Sequence, residues 1–305
     1  MKQKVLVIAG PTASGKSELA LRLAEQLNGE IICADSLTVY RRLAIGSAKP
    51  TTEQQQRIRH HLLDIREPDQ PFTASDFRLA AAEAINDCIR RGKRPVLAGG
   101  TGLYLRSLLR GLNDAPGEDP ALRAKLAERA KREGGELLLA ELAQVDPDTA
   151  RRLHPNNLIR IIRALEVFQC SGIPLSQFHA EHRFSDTPYD ALQFCLDLPR
   201  KELYRRIDDR VDTMLANGLV AEVELLLQSG VTPVCKPLQA IGYKEVISHL
   251  RGEFDQEEMI RLIKRNTRHF AKRQLTWFRS ESELQWVAYP QNSATIESAA
   301  ATFFA

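Results

Sequence analysis

The chain has 305 residues, 43% of them hydrophobic and 27% charged, with a formal net charge of +3. These values exclude a disordered or strongly cationic polypeptide, and no run reaches the roughly eighteen apolar residues that a bilayer span needs. The five cysteines, Cys33, Cys88, Cys170, Cys195 and Cys235, are odd in number, scattered and without a nearby Cys/His pair in the sequence. They imply neither a disulfide framework nor a zinc site, each reads as a small buried hydrophobe, and the cytoplasm is the expected compartment.

Val5-Leu6-Val7-Ile8-Ala9 reads as a buried strand. It is followed by Gly10-Pro11-Thr12-Ala13-Ser14-Gly15-Lys16-Ser17 and by a helical run through Leu19, Leu23 and Leu27. Strand, Gly-bounded turn and opening helix form the context of a phosphate-binding loop. The backbone N–H groups from Gly10 to Ser17 lack intrahelical partners and gather at the positive end of the helix dipole, where Lys16 adds a full charge. A diphosphate or triphosphate belongs there, and Ser17 is the expected Mg²⁺ ligand. Read alone, the loop suggests a nucleotide such as ATP and leaves open whether a phosphate is transferred or expelled. Glu30 to Ala34 is the next buried strand, completing a βαβ unit with a right-handed crossover and a parallel sheet. Ligands of open α/β sheets lie beyond the carboxyl ends of the strands, which brings Asp35 and Ser36 beside the loop.

Thr38 to Thr52 reads as an irregular connection, with a helix starting at Thr52-Glu53, and His61 to Ile65 as a short strand. Thr73-Ala74-Ser75-Asp76 opens a helix with apolar positions at Phe77, Ala81, Ala84, Ile85 and Ile89 that closes at Gly92. Pro95 to Ala98 is another buried strand, running into Gly99-Gly100-Thr101-Gly102 and a helix carrying Leu103, Leu108 and Leu109. Asn113 to Pro120 has the composition of a domain boundary. From there to about Pro188 the long segments, Leu122–Glu133, Leu137–Gln144 and Leu158–Cys170, are helical and strongly charged. Ala191 to Leu196 returns as a strand. Helices then follow over Lys201–Leu215, Val220–Leu227, Gln239–Leu250 and about Gln256–Trp277, before a short strand at Leu284–Val287. The expectation is an α/β, P-loop NTPase-like parallel-sheet core over 1–115, an all-helical insertion over 116–190, and core completion with basic C-terminal helices over 191–305.

A nucleotide hydrolase needs an acid at a strand end to hold its metal, yet the strand beside the loop ends in Gly99-Gly100-Thr101. Asp35 is the carboxylate firmly placed near the loop. It reads as a general base for an incoming nucleophile; holding a metal-bound water and capping the next segment are the alternatives. Thr101 either orients a substrate group or caps a helix. Arg205, Arg206 and Arg210 share a helix with Asp208, Asp209 and Asp212, so most are i,i+4 partners, while one of them can clamp phosphates. In the last long helix Arg261, Lys264, Arg265, Arg268 and Lys272 form a one-sided basic stripe. Arg151, Arg152, His154, Arg160 and Arg163 form a second basic cluster. A solvated face is the plain reading of either; together they suggest a large polyanion reaching the site.

The motifs then acquire a family. Gly10–Ser17, Asp35-Ser36-Leu37-Thr38-Val39-Tyr40, Ile45–Pro50, His61–Asp64, Gly99–Tyr104, His154-Pro155-Asn156, Arg163–Val167, Gly242-Tyr243 and Ala271–Trp277 resemble, in order, the bacterial tRNA dimethylallyltransferases of the tRNA isopentenyltransferase family. The resemblance implies transfer of a dimethylallyl group from dimethylallyl diphosphate to N6 of the adenosine 3′ of the tRNA anticodon, with release of diphosphate. It implies that Thr12 to Ser17 hold the diphosphate with Mg²⁺ and Arg210, that Asp35 accepts the N6 proton and that Thr101 positions the amine. Base flipping is expected, because the attacked base must leave the anticodon stack. The implied tRNA contacts are Asp35, Ser36, Leu37, Thr38, Thr101, Arg123, Ile159, Arg160, Ile161, Ile162, Arg163, Gln239, Ala240, Ile241, Gly242, Tyr243 and Lys244. Ser17 stands where many members have Thr, and Leu37-Thr38 replaces a commoner Met-Gln. No membrane partner is expected, and a monomer is the default. A P-loop small-molecule kinase using ATP is the alternative chemistry, and an RNA-binding protein with a nucleotide-sensing loop is the non-catalytic one.

Overall fold

The computed structural model describes residues 2–113, 115–182 and 186–305. Asp114, within the expected boundary segment, and Arg183 to Ser185, near the end of the expected insertion, lie outside the described residues. Strand β1 (Gln3–Ala9) sends Val5, Val7 and Ala9 into one apolar cluster and Leu6 and Ile8 into another, which is why it reads as an unbroken hydrophobic run. Helix α1 (Lys16–Gln26) follows the loop, and β2 (Gly29–Ala34) is buried along its whole length. Helix α2 (Thr52–Arg57) starts with a capping box on Thr51 and Gln54.

The strand expected over His61–Ile65 shrinks to β3 (His60–His61), because Leu62 and Asp64 adopt φ of 63° and 53° and leave the extended region. Next come α3 (Ala74–Arg90), capped by Thr73 and Asp76, then β4 (Arg94–Gly99) and α4 (Gly102–Arg110).

The chain divides into one unit over Arg110–Asp186 and a second formed by the segments Met1–Leu109 and Thr187–Ala305. The first unit is helical among its described residues: α5 (Pro120–Glu133), α6 (Gly135–Val145), α7 (Pro147–Ala150), α8 (Leu158–Ser171) and α9 (Leu175–His182). Its core holds Leu126, Leu138, Leu142, Ile161 and Leu165. The short helices α7 and α9 carry too few periodic positions to be read from sequence.

The second unit resumes with β5 (Tyr189–Asp197), α10 (Arg200–Ala216) and α11 (Leu219–Gln228). The helix expected over Gln239–Leu250 divides into a 3₁₀ turn (Lys236–Gln239) and α12 (Tyr243–Leu250). Gly242, at φ 96°, breaks the path between them. Helix α13 (Gln256–Arg279), strand β6 (Gln285–Ala288) and a further helix not expected from sequence, α14 (Ser293–Phe304), complete the unit.

The six strands pair in parallel in the order β3-β2-β4-β1-β5-β6, and the fold is P-loop NTPase-like. Register decides what meets at the sheet's carboxyl edge. Ala9 pairs with Gly99, and Gly99 pairs with Ala34. The next residues along the three neighbouring strands, Gly10, Gly100 and Asp35, therefore begin three loops side by side.

Candidate active site

The first and last of those strand ends, with Gly99 of β4 between them, open on a cavity of about 570 Å³. Its wall contains Thr12, Lys16 and Ser17 from the phosphate loop, Asp35 to Thr38 from the end of β2, and Arg210 from α10. Gly46 to Ala48, Gln239 to Gly242, Lys244 and the α13 residues Phe270, Arg273 and Gln274 add to the wall. Lys16, Arg210, Lys236, Lys244 and Arg273 line it against one carboxylate, Asp35. Such a surface attracts an anion.

The loop is shaped for one. Gly15, at φ 90°, precedes α1 without any side-chain cap, and a Cβ there would sit 2.6 Å from the Tyr289 ring. Ala13 is held at φ 62°. No hydrogen bond to the N–H groups of Ala13, Gly15, Lys16 or Ser17 is formed among the described residues. This leaves the helix N-terminus with open donors. Gly10, Pro11 and Ser14 are buried behind the loop surface, and the Ser14 hydroxyl has no hydrogen-bond partner among the described residues. The Thr12 N–H, expected to face a phosphate, instead donates to Gln274 Oε1 at 2.8 Å.

Lys16 Nζ donates to the Pro11 carbonyl at 3.2 Å. Burial, with the Arg210 charge adding to it, brings its ammonium down to about 8. Burial also lowers Arg210, while the Asp35 charge works the other way. Neither cation forms an ion pair with a carboxylate among the described residues. Arg205 does, with Asp209 as its spacing implied and also with Glu202, and Arg206 pairs with Glu202, outside the expected aspartates. Asp35 Oδ1 accepts the Leu37 N–H at 2.8 Å, a local turn that fixes the carboxyl while no bond to Oδ2 is formed among the described residues. Thr101 is not on the cavity wall; its hydroxyl accepts the Ser36 N–H at 3.2 Å and its carbonyl accepts from Tyr104 and Leu105. Its hydroxyl is thus engaged by the Ser36 N–H and caps no N–H of α4 among the described residues, while its carbonyl takes the first bonds of that helix.

The residues implied as tRNA contacts separate into two sorts. Asp35 to Thr38, Gln239 to Gly242 and Lys244 line the cavity, but Tyr243 is wholly buried. Its hydroxyl donates to Glu222 Oε1 at 2.8 Å, and Glu222 also accepts from the N–H groups of Ala44, Ile45 and Gly46. Tyr243 therefore supports the wall and does not face a ligand. In the helical unit Ile159 is 85% exposed and Arg160 is exposed, Ile162 is half-buried, and Ile161 is wholly buried in the core. Ile161 is withdrawn as a surface contact. Arg123 and Arg163 both bind the buried Glu166, and Arg163 also donates to the Pro116 and Gly117 carbonyls. Within the α13 stripe, Lys264 pairs with Asp212 and Arg268 with Asp208, fastening α13 to α10, and Arg261 pairs with Glu258. Arg265 and Lys272 are its cations without an ion pair among the described residues. The basic stripe is largely neutralised within the protein.

Two sequence expectations about cysteine also change. Cys170 is exposed, and Cys88 lies 3.5 Å from His61 Nε2 and 3.6 Å from Glu30 Oε2. This group has metal-type donors, but Arg91 holds both Glu30 oxygens, and burial together with the Glu30 charge pushes the Cys88 thiol up to about 12. As it stands the group is an ion-pair network centred on Glu30.

The IPP transferase family model matches residues 38–281 of the chain. The chain is similar to tRNA dimethylallyltransferase 1 of Trichlorobacter lovleyi, 77% identical over 305 residues that cover 100% of both sequences. It is also similar to tRNA dimethylallyltransferase of Geobacter sulfurreducens, 52% identical over 303 residues that cover 99% of this chain and 97% of that one. Among solved structures, the tRNA isopentenylpyrophosphate transferase of Bacillus halodurans superposes with a TM-score of 0.73 at 38% identity, covering 99% of this chain and 97% of that chain. A eukaryotic dimethylallyltransferase acting on tRNA superposes with a TM-score of 0.79 at 31% identity, covering 98% of this chain and 77% of that chain.

Proposed function

The chain belongs to the IPP transferase family, and from that premise we propose that it moves a dimethylallyl group from dimethylallyl diphosphate to N6 of the adenosine 3′ of a tRNA anticodon. The observation that carries the reading is one cavity holding open loop donors, the half-buried cations Lys16 and Arg210, and the carboxylate Asp35. The diphosphate lies on the loop donors, Lys16 and Arg210, which stabilise the charge that develops as the allylic C–O bond breaks. The adenosine nitrogen attacks the allylic carbon, forming the C–N bond, and Asp35 takes the N6 proton as diphosphate departs. Thr101 acts on the amine only by holding the Asp35-Ser36 turn.

Ser17 lines the cavity, and the donors there are oxygens, the hard ligands that Mg²⁺ prefers. Mg²⁺ held by Ser17 would balance diphosphate charge. Leu37, Thr38, Gln239 to Gly242 and Lys244 suit a flipped base, while Ile159 and Arg160 offer an RNA contact on the helical unit. No helix among the described residues is long and apolar enough to cross a membrane; the cytoplasm, where tRNA is modified, is the proposed compartment.

Incubation with unmodified tRNA and labelled dimethylallyl diphosphate tests the reading. The expected result is label in tRNA at the adenosine 3′ of the anticodon, with one diphosphate released per label. ATP turnover on a small acceptor with no label in tRNA would overturn it in favour of the kinase alternative, which the relatives do not support.

A further inference from the structure

Gln274 enters the sequence reading only inside the Ala271–Trp277 motif, yet its amide spans the phosphate loop and the glycine turn after β4. Its Oε1 accepts the Thr12 N–H and its Nε2 donates to the Gly100 carbonyl, both at 2.8 Å. The side chain comes from α13, is 7% exposed and lines the cavity. Glycine makes the approach feasible: a Cβ on Gly100 would collide with Gln274 Nε2, and a Cβ on Gly102 would collide with the Trp277 indole on the same helix. From Gly100 the connection continues through Thr101, whose hydroxyl receives the Ser36 N–H, to the turn closed by Asp35. Phosphate loop, Gln274, glycine turn and Asp35 turn are one hydrogen-bonded series.

We infer that Gln274 is a positioning residue that fixes the distance between the diphosphate cradle and the Asp35 carboxylate. Only a carboxamide at this reach supplies an acceptor to Thr12 and a donor to Gly100 together. An ionised carboxylate satisfies Thr12 but sets negative charge against the Gly100 carbonyl and beside the bound diphosphate. A thioether of similar length satisfies neither. Gln274 stands near the end of the strand where a nucleotide hydrolase places its metal-holding acid, and a neutral amide there keeps the site's carboxylate charge on Asp35 alone.

The inference rests on the prenyl-transfer reading, so its test includes a binding measurement that does not depend on turnover. Wild type, Gln274→Met, Gln274→Glu and Gly100→Ala are compared for affinity for magnesium diphosphate, for kcat, and for KM toward dimethylallyl diphosphate and tRNA. Circular dichroism supplies the folded fraction of each. The expected result is a diphosphate affinity and a dimethylallyl diphosphate KM weakened about tenfold in Gln274→Met and Gly100→Ala, and further in Gln274→Glu, with the tRNA KM unchanged. A packing role alone would lower the folded fraction, and with it the apparent kcat, while leaving both KM values and the diphosphate affinity at wild-type levels. That pattern in the Gln274 variants overturns the inference. A wild type that binds magnesium diphosphate without prenylating tRNA overturns the functional reading instead.

Discussion

Arg210, on the cavity wall, is half-buried and meets no carboxylate at ion-pair distance among the described residues, whereas Arg123 and Arg163 of the helical unit converge on Glu166, a wholly buried carboxylate. Burial works to raise the Glu166 carboxyl. Hydrogen bonds from Arg163, from the Asp119 N–H and from Arg123 outweigh it and hold the group below the usual carboxylate range. Lys16 and Arg210 thus keep partly desolvated positive charge without an ion-pair partner among the described residues, an arrangement that costs folding free energy and favours an anionic ligand. The helical unit joins its arginines to an internal acid, which orders the start of α5 against α8. Arginines that looked alike as sequence therefore do different work, and the sign of the difference is whether the partner lies inside the protein or must arrive.

The comparison breaks most visibly at Glu166. Glu166→Ala removes the acceptor of two guanidinium groups and of the Asp119 N–H, and a loss of about 3 kcal/mol in unfolding free energy is expected in urea titration, with diphosphate affinity unchanged. The complementary change in the cavity is Asp35→Asn. It keeps the Leu37 turn but removes the base, and a fall of about a hundredfold in single-turnover rate is expected with tRNA affinity retained. An unchanged rate would remove Asp35 from proton transfer.

A smaller effect distinguishes a second internal pair. The Arg91 hydrogen bond, opposed by burial and aided by His61, holds Glu30 at about 2, against an ordinary value of 4.5. Because the folded value is the lower one, the stabilisation is complete above about 4.5 and is lost as pH falls toward 2. Acid titration of stability should therefore be shallower in Glu30→Gln than in wild type across that window.

What the sequence revealed follows from the range of the forces involved. The phosphate loop, β1, α1, β2 and the long helices are set by local periodicity, glycine placement and capping, all of which are written in adjacent residues. Asp35 was legible because a strand end fixes its neighbourhood. The brevity of β3 turned on two left-handed residues, Leu62 and Asp64, that carry no glycine signal. Ile161 and Tyr243 read as surface contacts because a motif does not say which of its side chains turn inward; packing of α8 and the carboxylate of Glu222 decide that. Gln274 was hidden for the same reason, since its partners Thr12 and Gly100 lie 262 and 174 residues away. The basic stripe was visible as charge, but the acids that neutralise it, Asp208 and Asp212, sit on a different helix.

The central claim is that Arg210 of the cavity awaits an anion while Arg123 and Arg163 of the helical unit are already paired. Calorimetric titration of magnesium diphosphate into wild type, Arg210→Gln and Arg163→Gln tests it directly. The account predicts an affinity at least about tenfold weaker for Arg210→Gln, from loss of a charge-assisted contact, and wild-type affinity for Arg163→Gln. Equal affinity in wild type and Arg210→Gln, or a loss confined to Arg163→Gln, would contradict it.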